Sequence, residues 1–74
     1  MEELESVVLT EDVPEYGLKE GDIGTVVLTH REGSGYEVEF TTLGGEALGV
    51  VTLLAHQVRP IRQQEIAHAR ALAS

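Results

Sequence analysis

The chain contains no cysteine and no tryptophan among its 74 residues. Without thiols it can form neither a disulfide framework nor a thiolate metal site. No apolar run approaches the roughly 20 residues that a membrane-spanning helix needs. The first residues are acidic and lack the basic-then-apolar order of a secretory signal peptide. These absences predict a cytoplasmic protein with no membrane association.

Positive charge is also scarce, because five lysine and arginine residues stand against 13 acidic residues, for a net charge of −8. Residues 1–58 hold 12 acidic residues against Lys19 and Arg31, a balance of −10, whereas residues 59–74 carry a balance of +2. An acidic body repels phosphate backbones and anionic membranes and favours encounter with basic proteins. We therefore expect the partner to be another protein, and a basic one, rather than a nucleic acid.

Short β-type segments alternate with turn-forming residues in residues 1–61, which are long enough for one small domain. The clearest segment, 36–40, alternates apolar and charged residues, so its apolar side chains face a core and Glu37 and Glu39 face outward. Further strands are predicted over residues 5–10, 23–30, 47–54 and 58–61, with a single helical turn over 55–57.

A turn at residues 19–22 leads directly into the strand 23–30, and two glycines mark this junction. Gly21 can adopt the positive φ of a sharp turn. Gly24 lies inside the strand, where a missing side chain indicates a sharp bend or the close passage of another backbone. Such a corner is typical of small closed sheets. The whole pattern predicts a mainly β fold over residues 1–61, an SH3-like five-stranded antiparallel barrel.

Residues 62–74 differ in composition, because glutamine, glutamate, alanine, arginine and leucine are strong helix formers. Ile66, Ala69 and Leu72 or Ala73 recur at helical spacing. A C-terminal helical extension of about three turns is predicted, although isolated helices below about 12–15 residues are marginal and fray. Since this tail is basic and the body acidic, the helix is expected to dock on its own barrel or on a second copy, as a homo-oligomer.

Several segments, in this order, are similar to one family: Val8-Leu9-Thr10, Asp12-Val13-Pro14-Glu15, Gly17-Leu18-Lys19, Gly21-Asp22-Ile23-Gly24-Thr25-Val26-Val27, Tyr36-Glu37-Val38-Glu39-Phe40, Val51-Thr52-Leu53 and Val58-Arg59-Pro60. Through them the chain resembles, from Val7 to Ile61, the small bacterial proteins known as domain of unknown function 4926. The resemblance implies an SH3-like barrel without an assigned activity. It also implies an accessory or regulatory role, with toxin–antitoxin pairing suspected for some members.

The stretch Gly21-Asp22-Ile23-Gly24-Thr25-Val26 also resembles the KOW motif of ribosomal and transcription-elongation barrels. KOW proteins that bind RNA are usually basic, and this acidic chain departs from that pattern. A KOW-like module associated with nucleic acid is therefore one alternative function. An acidic mimic that occupies the groove of a nucleic-acid enzyme is another.

Residue patterns that carry catalysis or bind metals are missing from the sequence. The three histidines lie 26 and 12 residues apart, which is not the spacing of a metal site. Gly33-Ser34-Gly35 lacks the following helix and lysine of a phosphate-binding loop and is predicted to be a hairpin turn. Glu37 and Glu39 are expected to be solvated rather than arranged for acid–base chemistry. We predict no enzymatic activity, no cofactor and no metal.

Three features are candidates for binding another protein. They are the acidic outer face, with the carboxylates of loop 11–17; the aromatic side chain of that loop, which in SH3-like barrels often borders a peptide groove, unless it is merely an edge of the core; and the basic tail. Together they predict a non-enzymatic interaction module that acts as an accessory, inhibitory or antitoxin-like partner. The candidate residues are Tyr16, Glu37, Glu39, Arg62, Ile66, Ala69, Arg70 and Leu72.

Overall fold

Five antiparallel strands form the framework of the computed structural model, which describes residues 1–72. All the predicted strands and the helical turn at 55–57 are confirmed, and each bound agrees with the prediction to within one residue. Two further single turns of 3-10 helix, Pro14–Tyr16 and Arg31–Gly33, lie in the loops. The strands are β1 (Ser6–Leu9), β2 (Ile23–Thr29), β3 (Gly35–Thr41), β4 (Ala47–Leu54) and β5 (Val58–Pro60).

The strands pair in the order β4-β3-β2-β1-β5, so β4 and β5 form the two edges of one open sheet. The predicted closure into an SH3-like barrel is therefore wrong. Local sequence determines hairpins, whereas closure depends on the tilt and stagger of all strands together. Here β5 pairs with β1 over three residues only, and the ladder does not continue from β5 to β4.

One face of the sheet carries the core, and the alternation in β3 places it there. Tyr36, Val38 and Phe40 are buried, as predicted, and Glu37 and Glu39 lie on the opposite face. Leu18 packs into the core from the loop before β2. The remaining members of the core are Val7, Leu9, Val13, Val26, Val51, Leu53 and Val58.

Gly24 lies in β2 where β1 and β3 flank it closely. A β-carbon at this position would come within 2.6 Å of Val38 Cγ1, 2.8 Å of Phe40 Cε1 and 3.0 Å of the Glu39 carbonyl oxygen. The close approach predicted at this glycine is confirmed. Gly21 adopts a φ of 92° in the preceding turn, which also agrees with the sequence.

Residues 62–72 follow an irregular, non-helical path, so the predicted C-terminal helix is wrong for these residues. Ala73, the alternative member of the predicted apolar stripe, lies outside the described residues. Helix propensity is a weak preference in so short a segment. The side chains of Glu65 and Arg70 instead pair with Arg59 of β5 and with Asp22 in the turn before β2, which holds the tail against the sheet. Residues 62–72 therefore form no helix through which copies could associate, and homo-oligomerisation stays a prediction. Within residues 1–72 the structure shows no helix of the length and apolarity needed to cross a membrane.

Candidate interaction surface

The side of the sheet opposite the core, here called the outer face, combines carboxylates with apolar side chains. Glu37 lies between Leu28 of β2 and Thr52 of β4, and Glu39 lies between Thr25 and Val50. Cross-strand partners share a face, so this register defines the surface. The residues of the outer face on β2 to β4 are Ile23, Thr25, Leu28, Glu37, Glu39, Val50, Thr52 and Leu54.

Glu37 is held in a fixed position at the centre of the outer face. Its Oε2 lies 2.6 Å from His30 Nε2, and Thr52 Oγ1 donates to the same carboxylate at 2.8 and 2.9 Å. The hydrogen bond from Thr52, followed by the one from His30, lowers the pKa of Glu37. The carboxylate therefore remains ionised and oriented on the surface.

Apolar side chains surround these carboxylates and remain accessible to solvent. Leu28 is 50% exposed, Val50 52% and Leu54 57%. Single exposed apolar residues are ordinary, but three around one pair of carboxylates make a continuous mixed surface. The surface around the two carboxylates is therefore partly apolar.

Tyr16, the aromatic residue predicted to border a peptide groove, is not among the residues of the outer face. Tyr16 belongs to the turn Pro14–Tyr16 in the loop before β2, and it is 57% exposed, so its packing onto the core is not observed. The next residue, Gly17, has a φ of 70° and offers its carbonyl oxygen to Arg70 Nη2 at 3.1 Å. Tyr16 is thus next to the docking point of the tail.

Arg70 anchors the tail to the turn before β2. Its Nε and Nη2 donate to the two carboxylate oxygens of Asp22 at 2.9 and 2.6 Å. This hydrogen bond is the main cause of the lowered pKa of Asp22, and burial partly opposes it. Asp22 Oδ2 also accepts the Lys19 N–H at 2.9 Å, so one carboxylate organises both the turn and the tail.

A second bidentate ion pair lies where the tail leaves β5. Arg59 Nη1 and Nη2 donate to the Glu65 carboxylate at 2.9 and 2.6 Å, and the Arg62 N–H donates to Glu65 Oε1 at 2.7 Å. The guanidinium, followed by the backbone N–H, lowers the pKa of Glu65 to about 2. Of the predicted tail residues, Arg62 contributes its backbone here and Ile66 is 94% exposed.

The tail lies over one end of the sheet and leaves the other open. Ala69 and Leu72 line a cleft of about 440 Å³ with Leu48 and Ile23. A smaller cleft between the tail and Val8 extends the covered region towards β1. The tail thus reaches the start of β4 at Leu48, but neither cleft includes Glu37 or Glu39, so the predicted tail residues do not join these glutamates.

The geometry offers no centre for metal binding in the part of the chain that is described. Residues 1–72 contain no group of three or more histidine, aspartate or glutamate side chains placed to hold a metal ion.

Comparison with known families gives one match, which covers residues 3–60 and is described as "Domain of unknown function (DUF4926)". The chain belongs to the DUF4926 family. The match confirms the family resemblance and does not extend to the SH3 or KOW likeness. Searches of curated proteins and of solved structures give no significant match to this DUF4926 protein.

Sequence reasoning missed several residues of this surface. Leu28, Val50 and Leu54 were predicted only as strand residues, although the alternation of β4 with β3 would have placed two of them beside the glutamates. His30 and Thr52 gave no signal, because their contacts with Glu37 depend on the register of three strands. The pairing of Asp22 with Arg70 had no sequence signal either, since the two residues are 48 positions apart.

Proposed function

We propose that this DUF4926 domain is a non-enzymatic protein-interaction module that acts as an accessory, inhibitory or antitoxin-like partner. The outer face at the β3–β4 end binds a basic polypeptide. The observation that carries the proposal is the placement of Glu37 and Glu39 among the exposed side chains of Leu28, Val50 and Leu54. Apolar contacts provide affinity on such a surface, and the carboxylates select a basic partner.

The charges of the rest of the domain support a basic partner. The body balance of −10 over residues 1–58 attracts cations at a distance and accelerates encounter. Glu37 is held ionised and oriented by Thr52 and His30. A lysine or arginine of the partner therefore meets a carboxylate that needs little rearrangement, which lowers the ordering cost of binding.

Two other functions share parts of this surface. An acidic mimic of nucleic acid, which would occupy the groove of a nucleic-acid enzyme, is favoured by the same charge balance. A KOW-like module that binds nucleic acid is less favoured, because Arg59 and Arg70 are engaged with carboxylates of the domain itself. Phosphate contacts require cations that can face the ligand.

A charge-matched pair of variants tests the proposal. Glu37→Gln with Glu39→Gln removes two charges from the outer face, and Glu2→Gln with Glu3→Gln removes two exposed charges near the N-terminus. In titrations, the affinity for a lysine-rich peptide is expected to fall strongly in the first variant and little in the second. An equal loss of affinity in both variants would mean that only the net charge matters, and it would contradict binding at a defined surface.

The nucleic-acid alternative is tested separately on a DNA or RNA column at low salt. Retention that fades as salt rises would support the KOW-like function. We expect the domain to pass through. Co-purification from the native host, followed by mass spectrometry, would then identify the protein partner, and a nucleic-acid enzyme among the partners would favour the mimic.

A further inference from the structure

The two edges of the open sheet differ in how their backbone groups are protected. At β5, the strand has three residues, Pro60 carries no N–H, and its carbonyl oxygen accepts Arg59 Nη1 at 3.1 Å. The tail leaves the sheet directly after it. Short length and proline are the devices by which natural proteins prevent further strands from pairing at an edge. The β5 edge is thus closed.

The β4 edge has none of these devices. The strand runs for eight residues, Ala47–Leu54, and contains neither proline nor a charged residue. An uncharged edge without proline is a template for another strand wherever its backbone groups remain unpaired. The open edge belongs to the same end of the sheet as the outer-face glutamates.

The direction of the backbone groups in β4 follows from its pairing with β3. Ala55 donates its N–H to the Ser34 carbonyl oxygen, which makes these two residues a hydrogen-bonded pair. Hydrogen-bonded and non-hydrogen-bonded pairs alternate along an antiparallel ladder. Val51 and Leu53 therefore bond to β3, whereas the N–H and C=O groups of Val50 and Thr52 point away from it.

Leu54 supports this assignment and marks one end of the stretch in which the outward N–H groups are unpaired. Leu54 should also point its N–H outward, and that N–H donates to Gln57 Oε1 at 2.8 Å instead of to β3. At the other end, the register shifts by a bulge opposite Phe40 and Thr41, and Gly49 adopts a φ of 118°. The regular open edge thus extends from Val50 to Thr52, with one capped N–H after it. No hydrogen bond from elsewhere in residues 1–72 reaches these two outward N–H groups.

We propose that an extended, basic segment of a partner protein binds along β4 as a sixth strand. The inference rests on the proposed function and specifies how the partner docks. Backbone hydrogen bonds to Val50 and Thr52 fix the register of the added strand against β4. Every second side chain of the added strand then lies on the outer face, beside Val50 and Leu54. An added strand lies about 10 Å from β3, so long cationic side chains can reach across β4 towards Glu37 and Glu39.

Charge distinguishes this occupant from a second copy of the chain. Pairing of two β4 strands would bring together two domains of net charge −8, each with Glu37 and Glu39 near the junction. Like charges near an interface are unfavourable. A basic segment of another protein instead neutralises both glutamates.

Amide hydrogen exchange of the full chain, followed by NMR, tests the edge directly. In dilute solution the amides of Val50 and Thr52 are expected to exchange fast, and those of Val51 and Leu53 slowly. A short synthetic peptide of alternating valine and lysine should then slow exchange at Val50 and Thr52 by about tenfold or more. The matched peptide of alternating valine and glutamate should leave both rates unchanged.

A pair of substitutions at one position provides the control for folding. Val50→Pro removes an outward N–H that β3 does not use, and edge strands accept proline at such positions. Val50→Thr keeps the N–H and the β-branched shape. Both variants should keep the core amides of Val38 and Leu53 protected. Val50→Thr should weaken binding of the lysine peptide moderately, because an apolar contact is lost, whereas Val50→Pro should lose most of the affinity and all protection at this position.

The outcomes separate this inference from the function on which it rests. Binding of the lysine peptide that depends on Glu37 and Glu39 without protecting Val50 and Thr52 would overturn strand addition and leave the protein-binding function intact. If the amides of Val50 and Thr52 become protected without peptide as the protein concentration rises, the edge pairs with a second copy, and the proposal of a basic segment as the occupant is overturned. Absence of binding would overturn both.

Discussion

The guanidinium of Arg70 and the carboxylate of Asp22 form a bidentate ion pair, with N–O distances of 2.9 and 2.6 Å, across 48 positions of the chain. Both side chains are largely shielded from solvent, because they are 25% and 18% exposed. The pair ties the last described residues to the turn before β2. A segment predicted to be a helix is thus attached to the rest of the domain by two ion pairs, Arg59–Glu65 near its start and Arg70–Asp22 near its end.

Removal of the Arg70 side chain should release the tail without unfolding the sheet. Arg70→Gln is expected to lower the free energy of unfolding in urea only slightly, because ion pairs with partial solvent access contribute little. Asp22→Asn should cost more, because Asp22 also accepts the Lys19 N–H. Arg62→Gln, at an exposed position in the same tail, is the control. A double-mutant cycle of Arg70 and Asp22 that gives no coupling energy would contradict the ion pair.

Addition of one methyl group at Gly24 should destabilise the domain strongly. Gly24→Ala places a β-carbon against Val38, Phe40 and the Glu39 carbonyl, and overpacking of this kind costs about 1–3 kcal/mol. Gly44→Ala is the matched control, because its β-carbon would have no neighbour closer than 3.8 Å. Thermal melting of the two variants checks the difference, and equal melting temperatures would refute the close approach.

Truncation of Phe40 should remove most of the stability of so small a domain. The side chain is buried in the core, and Phe→Ala costs about 3–5 kcal/mol at such sites, close to the whole stability of a domain of this size. Tyr16→Ala, at an exposed aromatic position, should change stability by less than about 0.5 kcal/mol. Circular dichroism and urea titration compare the two, and a fully folded Phe40→Ala protein would show that this ring is not central.

Stability should fall at acidic pH, and Glu65 should contribute to the fall. Its folded-state pKa is about 2 against an ordinary value of 4.5, so the unfolded state binds more protons between these values. The contribution is complete above about pH 4.5 and disappears as the pH approaches 2. The lowered pKa values of Asp22 and Glu37 act in the same direction.

Thermal melts of the wild type and of Glu65→Gln between neutral and strongly acidic pH measure this effect. The wild type should lose more stability than the variant over the acidic range, because the variant lacks one of the groups that take up protons. Parallel curves would contradict a strong Arg59–Glu65 pair. Added salt at neutral pH should weaken the same pair, since exposed charges are screened.

Residues in local patterns were predictable from the sequence. The alternation at Tyr36, Val38 and Phe40 determined which face of β3 is buried, because a strand turns successive side chains to opposite faces. Gly21 and Gly24 marked a turn and a close approach, since only glycine satisfies both conditions without strain. Pro60 is compatible with the edge position of β5, because it has no N–H to donate.

Only the tertiary structure decided how these pieces meet. Whether β4 and β5 close a barrel depends on the accumulated twist and stagger of five strands, which no short stretch encodes. The tail lost its predicted helix because Arg70 pairs with Asp22 in the turn before β2 and Glu65 pairs with Arg59 of β5, and those contacts outweigh a weak local preference. The open β4 edge and the fixed position of Glu37 follow from the same cause: they are properties of the register between strands, and register arises only when the whole sheet is assembled.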